Sequence, residues 1–153
     1  MGPLEDSSLV SRLLRRTRWV TVASPSYLAT RVEPKRPEDL QHHNCLAFVG
    51  PNGKRVTWSF VEDGHEASFS PRGNLVIDQG DQLLSAASAG LGVCQVLDFM
   101  VEESIRSGSV VRLLEGFSGK GPDIHALAPP ARAGSANGKA LFRFMTEAFG
   151  SRR

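Results

Sequence analysis

The 153-residue sequence predicts an α/β fold. Three observations carry that reading. β-Branched and aromatic runs such as Trp19-Val20-Thr21-Val22-Ala23 alternate along the chain with helix-like runs such as Leu83 to Gly90. The helix-like runs carry recognisable start and stop residues. Hydrophobic content of 41% with 22% charge is ordinary for a globular chain, so a packed core is expected.

The elements follow in order. Residues 1–8 read as a loop, and Leu9 to Arg16 is ambiguous between strand and helix. Trp19 to Ala23 reads as a strand, because branched and aromatic side chains suit a pleated surface. Ser24-Pro25-Ser26-Tyr27-Leu28 is a helix start, with Ser24 as N-cap and Pro25 where a missing N–H costs nothing. Pro37-Glu38-Asp39-Leu40 is a second short start with acidic residues in its first turn. Cys45 to Val49, Val56 to Phe60, Ala67 to Ser70 and Leu75 to Ile77 are short strand pieces. The turns between them contain Gly50-Pro51-Asn52-Gly53 and Asp63-Gly64, so this stretch is expected to be a small meander. Asp78-Gln79-Gly80-Asp81 opens a helix, with Asp78 as its expected cap. That helix closes at Gly90. A strand over 93–97, a helix over 99–107 stopped by Gly108, strands over 110–114 and 124–128, and a final helix over 140–149 complete the chain. In that last helix Leu141, Phe144, Met145 and Ala148 are expected on one face.

Bulk properties narrow the function classes. The formal charge of +2 is too small to indicate nucleic-acid binding, and Arg12, Arg15, Arg16 and Arg18 read as a solvated surface. No apolar run is long enough to span a bilayer, and the polar start of the chain shows no export signal. Two cysteines, Cys45 and Cys94, are too few for a disulfide scaffold and read as reduced and buried.

Gly90-Leu91-Gly92 suggests a phosphate loop, but its position argues against one. Phosphate loops run from strand to glycine turn to helix, so that helix N–H groups face the anion. Here the glycines follow a helix and precede a strand, so they serve a tight turn. His42-His43-Asn44-Cys45 offers three potential metal ligands without a fourth at a familiar spacing, and no metal is expected. No Gly-x-Ser-x-Gly nucleophile elbow is present, and Asp81, Glu102 and Glu103 read as helix-end and surface charges. No catalytic residue and no cofactor is assigned.

The segments TVASPSYLATR…PEDLQHHNCLAF, LLSAASAGLGVCQVLDFMVEESIRSGSVVRLL, IHALAPP and GKALFRFMTEAF, in that order, resemble the C-terminal effector-binding domain of LysR-type transcriptional regulators. The resemblance implies a type II periplasmic-binding-protein-like fold, here partial. Residues 20–93 would form one complete α/β lobe. Residues 1–19 and 94–153 would form the returning part of another, with the crossover strands. It also implies a small-molecule effector, for instance an organic acid, bound in a cleft between lobes. It further implies a homodimer, a cytoplasmic location, and DNA contact only through a winged helix-turn-helix that this sequence lacks. Apolar surface left without its family partner strands is expected on the partial lobe.

The candidate ligand residues follow from that resemblance. Ser24, Pro25 and Ser26 lie at a helix start, Phe48, Val49 and Gly50 at a strand end, Gly80 at the next long helix start, and Val96 on the crossover strand. Each has a plainer reading: Ser24 as a cap only, Phe48 as core, and Gly80 beside Asp81, whose charge opposes an anion. A stand-alone solute-binding protein, a small enzyme and a fragment without independent activity are the competing functional readings.

Overall fold

A computed structural model of the chain describes residues 9–150, so the loop read over residues 1–8 lies outside the described residues. The strands are β1 (Val10–Arg15), β2 (Trp19–Ala23), β3 (Ala47–Phe48), β4 (Trp58–Glu62), β5 (His65–Phe69), β6 (Val76–Ile77), β7 (Cys94–Leu97), β8 (Val111–Leu113) and β9 (Ile124–Ala128). The helices are α1 (Pro25–Leu28), α2 (Gly80–Ser88), α3 (Glu102–Arg106), α4 (Pro130–Ala133) and α5 (Ala136–Gly150). The mixed α/β class expected from the sequence is therefore the class observed. The chain divides into a larger unit, Arg18–Gly121, and a smaller one from the described parts of Met1–Thr17 and Pro122–Arg153.

The larger unit is organised around β2, which pairs antiparallel with both β7 and β8. Side chains alternate across this sheet, as the period of two requires. Val20, Val22, Cys94 and Val96 meet Leu83, Leu84 and Ala87 of α2 in one apolar cluster. Ala23, Val93 and Leu113 join Tyr27, Leu40, Trp58 and Phe60 in a second. The division of residues 20–93 from residues 94–153 expected from the sequence falls inside this unit. The reason is the β2–β7 ladder, in which Val20 sits opposite Val96 and Val22 opposite Cys94.

The expected meander is corrected. Only β4 and β5 form a hairpin, turned by Asp63 and Gly64 at φ of 49° and 79°. Two successive positive φ values match the right-handed strand twist of a tight hairpin. β3 and β6 instead pair in parallel, with Ala47 opposite Val76 and Phe48 opposite Ile77. Such pairing needs a crossover, and the hairpin is carried in it.

α2 also differs at its start. Its N-cap is Gln79, and no side chain caps it, so Asp78 does not perform the expected role. At the other end Gly90 has φ of 84°, its N–H bonds the Ala87 carbonyl at 3.0 Å, and the Leu91 N–H bonds the Ala86 carbonyl at 3.1 Å. This paired arrangement closes a helix through a left-handed residue, where glycine carries no Cβ penalty. The chain passes directly into β7, so the glycines shape a helix-to-strand bend.

In the smaller unit β1 pairs antiparallel with β9, and α5 packs on the pair. Leu14, Ala126 and Phe142 form the core, and the Arg12 guanidinium lies 5.6 Å from the Phe142 ring centroid. The expected face of α5 is corrected: of Leu141, Phe144, Met145 and Ala148, Met145 alone packs against the core and the other three are exposed. Met145 packs inward, but its companion is Phe142, 5% exposed, whereas Leu141 and Phe144 are 58% and 66% exposed. A helix apolar on two adjacent stripes buries the one its partner strands can reach.

Candidate functional site

A pocket of about 220 Å³ opens within the larger unit. Its walls come from five separate stretches of the sequence. Trp19 of β2 and Gln95, Val96 and Leu97 of β7 contribute to its lining. Phe48 of β3 faces Val56, Thr57 and Trp58 at the entry to β4. Gly80 and Leu83 of α2, with Met100 from the turn after β7, close the remaining side. The backbone holds these stretches together through Val56 N–H to Phe48 C=O at 2.8 Å and Val49 N–H to Ile77 C=O at 2.9 Å.

Gln95 is the polar residue that the sequence reading passed over. It is 5% exposed on the β7 face opposite Val96. Its side-chain oxygen accepts from the Ser59 N–H at 2.9 Å, and its NH₂ donates to the Ser59 carbonyl at 3.1 Å and the Thr21 hydroxyl at 3.4 Å. One primary amide thus pairs with both backbone groups of Ser59, as a neighbouring strand would. It anchors β4, and with it Trp58, to the central sheet. A single polar side chain inside the apolar run Val93 to Leu97 was the signal that could have marked it.

Three of the candidate ligand residues, Phe48, Gly80 and Val96, line this pocket together. The other five do not. Ser24 is buried, and its hydroxyl accepts from the Tyr27 N–H at 3.1 Å and bonds Ser26 Oγ at 3.0 Å. It caps a helix of only four residues, too short for an appreciable dipole. Pro25 and Ser26 are exposed beside the Gly90 turn. Val49 pairs with Arg55, and the Gly50 N–H closes a turn onto the Lys54 carbonyl at 3.0 Å.

His42, His43 and Cys45 do not converge. The Cys45 thiol points to the Leu40 carbonyl at 3.4 Å, and His43 Nδ1 lies 3.3 Å from the Tyr27 hydroxyl. That hydroxyl also accepts from the Asn44 N–H at 2.9 Å. Among the described residues no three His, Cys, Asp or Glu side chains gather in a way that could hold a metal ion. Burial pushes both cysteine thiols up to about 12, and the two lie in different apolar clusters. Neither is a nucleophile at neutral pH.

His43 supplies a pH dependence. Burial, with Arg31 and His42 nearby, lowers its pKa, against smaller opposing effects of Asp39 and a hydrogen bond to the Val32 carbonyl. A base whose folded pKa lies below its unfolded one is protonated preferentially in the unfolded chain. Its contribution is therefore neutral above about pH 6.5 and becomes destabilising as pH falls through that value toward the lower folded pKa. Denaturant midpoints measured from pH 8 to pH 5 should fall more steeply for the wild type than for His43→Gln. Parallel slopes would remove His43 from this role.

The arrangement is a mixed α/β fold with a largely apolar pocket in its larger unit. Comparison with known proteins gives its family. The LysR substrate binding domain family matches residues 1–150, and the chain belongs to that family. It is 32% identical over 152 residues to the HTH-type transcriptional regulator CrgA of Neisseria meningitidis serogroup C, covering 98% of this chain and 50% of CrgA. It is 33% identical over 132 residues to an uncharacterised HTH-type transcriptional regulator of Haemophilus influenzae, covering 86% of this chain and 46% of that protein. The CrgA regulatory domain, a solved structure, superposes with a TM-score of 0.81 at 26% identity, covering 97% of this chain and 72% of that one. The chain thus spans about half the length of the curated relatives it matches. The expected type II periplasmic-binding-protein-like class is that of these regulatory domains. Among the described residues no helix is long and apolar enough to cross a membrane.

Proposed function

We propose that this chain is the effector-sensing module of a cytoplasmic transcriptional regulator, and that it is not an enzyme. The larger unit corresponds to the second lobe of the family fold, extended by the β7–β8 segment. Phe48, Gly80 and Val96 contact the effector. DNA would be read by a helix-turn-helix elsewhere in a full-length regulator, and pairing of two such modules would carry the signal to it. An effector acts here by favouring the conformations that it binds best, so its influence is limited to its differential affinity for them.

The observation that carries this reading is the pocket itself. Residues chosen from three separate sequence segments by family resemblance share one concave, largely apolar wall, as small-molecule sites do. A thermal-shift screen of small organic compounds tests it. A true effector raises Tm through binding to the folded chain alone, by about 2.7 kcal/mol of stabilisation at a hundredfold excess over Kd. Val56→Trp, which fills the pocket from its half-buried edge, should abolish that rise while leaving the ligand-free Tm near the wild-type value. A rise that survives the substitution would place the effector elsewhere.

A further inference from the structure

We infer that the group held in this pocket is a neutral, compact aromatic ring, and not the organic acid that the resemblance suggested; the inference rests on the effector-sensing reading above. Among the described residues, none that lines the pocket is ionisable. The one buried polar side chain among them, Gln95, has its oxygen and its NH₂ already committed to Ser59 and Thr21. Thr57 offers a hydroxyl, but it is solvent-exposed at the rim. Asp81, next to Gly80 in the first turn of α2, places a negative charge at the helix end where an anion would otherwise be welcome. A carboxylate entering this site would lose hydration and gain no counter-charge from the described residues that line it, a penalty that grows with burial.

Shape and surface point the same way. Trp19, Phe48 and Trp58 present three aromatic side chains to one space, with the Met100 thioether beside them. Trp19, Phe48 and Met100 are only half-buried, so apolar surface stays wet until something covers it. Ring edges, ring faces and sulfur all pack favourably against another ring. An apolar cavity of roughly 150 Å³ suffices for benzene, so 220 Å³ has room for one ring with a short substituent.

Both tryptophans of the sequence line this pocket, so the two indole N–H resonances report on it without any label at the site. The test titrates ¹⁵N-labelled chain with benzyl alcohol and, separately, with benzoate, two probes of one ring size that differ in charge. Benzyl alcohol should shift both indole resonances saturably, and benzoate should need roughly tenfold more or fail to act. Thr57→Arg, an exposed position on the rim, should narrow or reverse that preference by supplying the absent cation. Benzoate shifting both indoles at equal or lower concentration in the wild type would overturn the neutral-ring inference while leaving the pocket as a ligand site. Neither probe moving either indole would remove the pocket from effector binding, and the inference with it.

Discussion

Gly92→Ala is expected to destabilise the chain by about 3 kcal/mol, the upper end of what overpacking a core costs. Gly92 is buried between the Gly90 turn and β7, against the segment leading into β3. The Val93 N–H donates to the Asn44 carbonyl at 2.9 Å, and the Leu46 N–H donates to the Val93 carbonyl at 2.8 Å. A methyl group on residue 92 would run into that Asn44 carbonyl oxygen and stand 2.9 Å from Leu46 Cδ2. Neither neighbour can retreat cheaply: one is backbone held in a pairing, the other a fully buried leucine. Accommodation would pry apart the Cys45–Val93 bridge, whose residues are both fully buried. Gly90→Ala is the control: its cost is chiefly conformational, about 1–2 kcal/mol for a left-handed residue, and the tightest contact of its added methyl, 3.0 Å, is with the rotatable Ser26 hydroxyl. Guanidinium unfolding of the two variants should rank Gly92→Ala well below Gly90→Ala. A Gly92→Ala protein as stable as the wild type would mean that this junction is not formed.

Gln95→Leu is expected to cost a similar amount, about 3 kcal/mol, for an electrostatic reason. It keeps the volume on β7 but leaves the Ser59 N–H and carbonyl without the amide that pairs with them. Each buried backbone group stranded in this way costs about 1–3 kcal/mol. Because β4 carries Trp58, loss of the anchor should also move the tryptophan emission toward the red before global unfolding. Unchanged stability and unchanged emission in Gln95→Leu would show that the hairpin is held by its apolar contacts alone. The two substitutions act at different places, one on the α2–β7 bend and one on the β7–β4 tie, so their costs should add within a few tenths of a kcal/mol.

How much of this was legible in the sequence depended on how local the cause was. β2 is found where Trp19 to Ala23 predicted it, because five successive residues share a preference for extended backbone. Ser24 caps α1 as expected, since a hydroxyl three residues from an N–H needs no distant partner. Gly90 and Gly92 sit after a helix and before a strand, which the residue order alone showed. Non-local causes were hidden. Parallel pairing of β3 with β6 depends on the path taken by the intervening hairpin, and nothing in Ala47-Phe48 or Val76-Ile77 states it. α5 offers two apolar stripes, and only the position of β1 and β9 selects Phe142 over Leu141 and Phe144.

The site divides in the same manner. Phe48, Gly80 and Val96 were reached through resemblance, because their segments occupy recognisable places in the family order. Trp19, Trp58, Leu83 and Met100 were missed as site residues, since each reads equally well as core. Trp58 and Leu83 are in fact both: almost fully buried, yet each gives one edge to the pocket. Ser24 looked attractive for its hydroxyl, but helix capping had already used it.

The most direct test of the pocket as the sensing site is an amide chemical-shift map of the ¹⁵N-labelled chain, recorded with and without the compound that raises its Tm most. The account expects the largest shifts at Phe48, Gly80, Leu83 and Val96, with both indole N–H signals moving alongside them. Shifts confined to Ser24–Ser26, to the His43 region or to the smaller unit, with Phe48, Gly80 and Val96 unmoved, would contradict it.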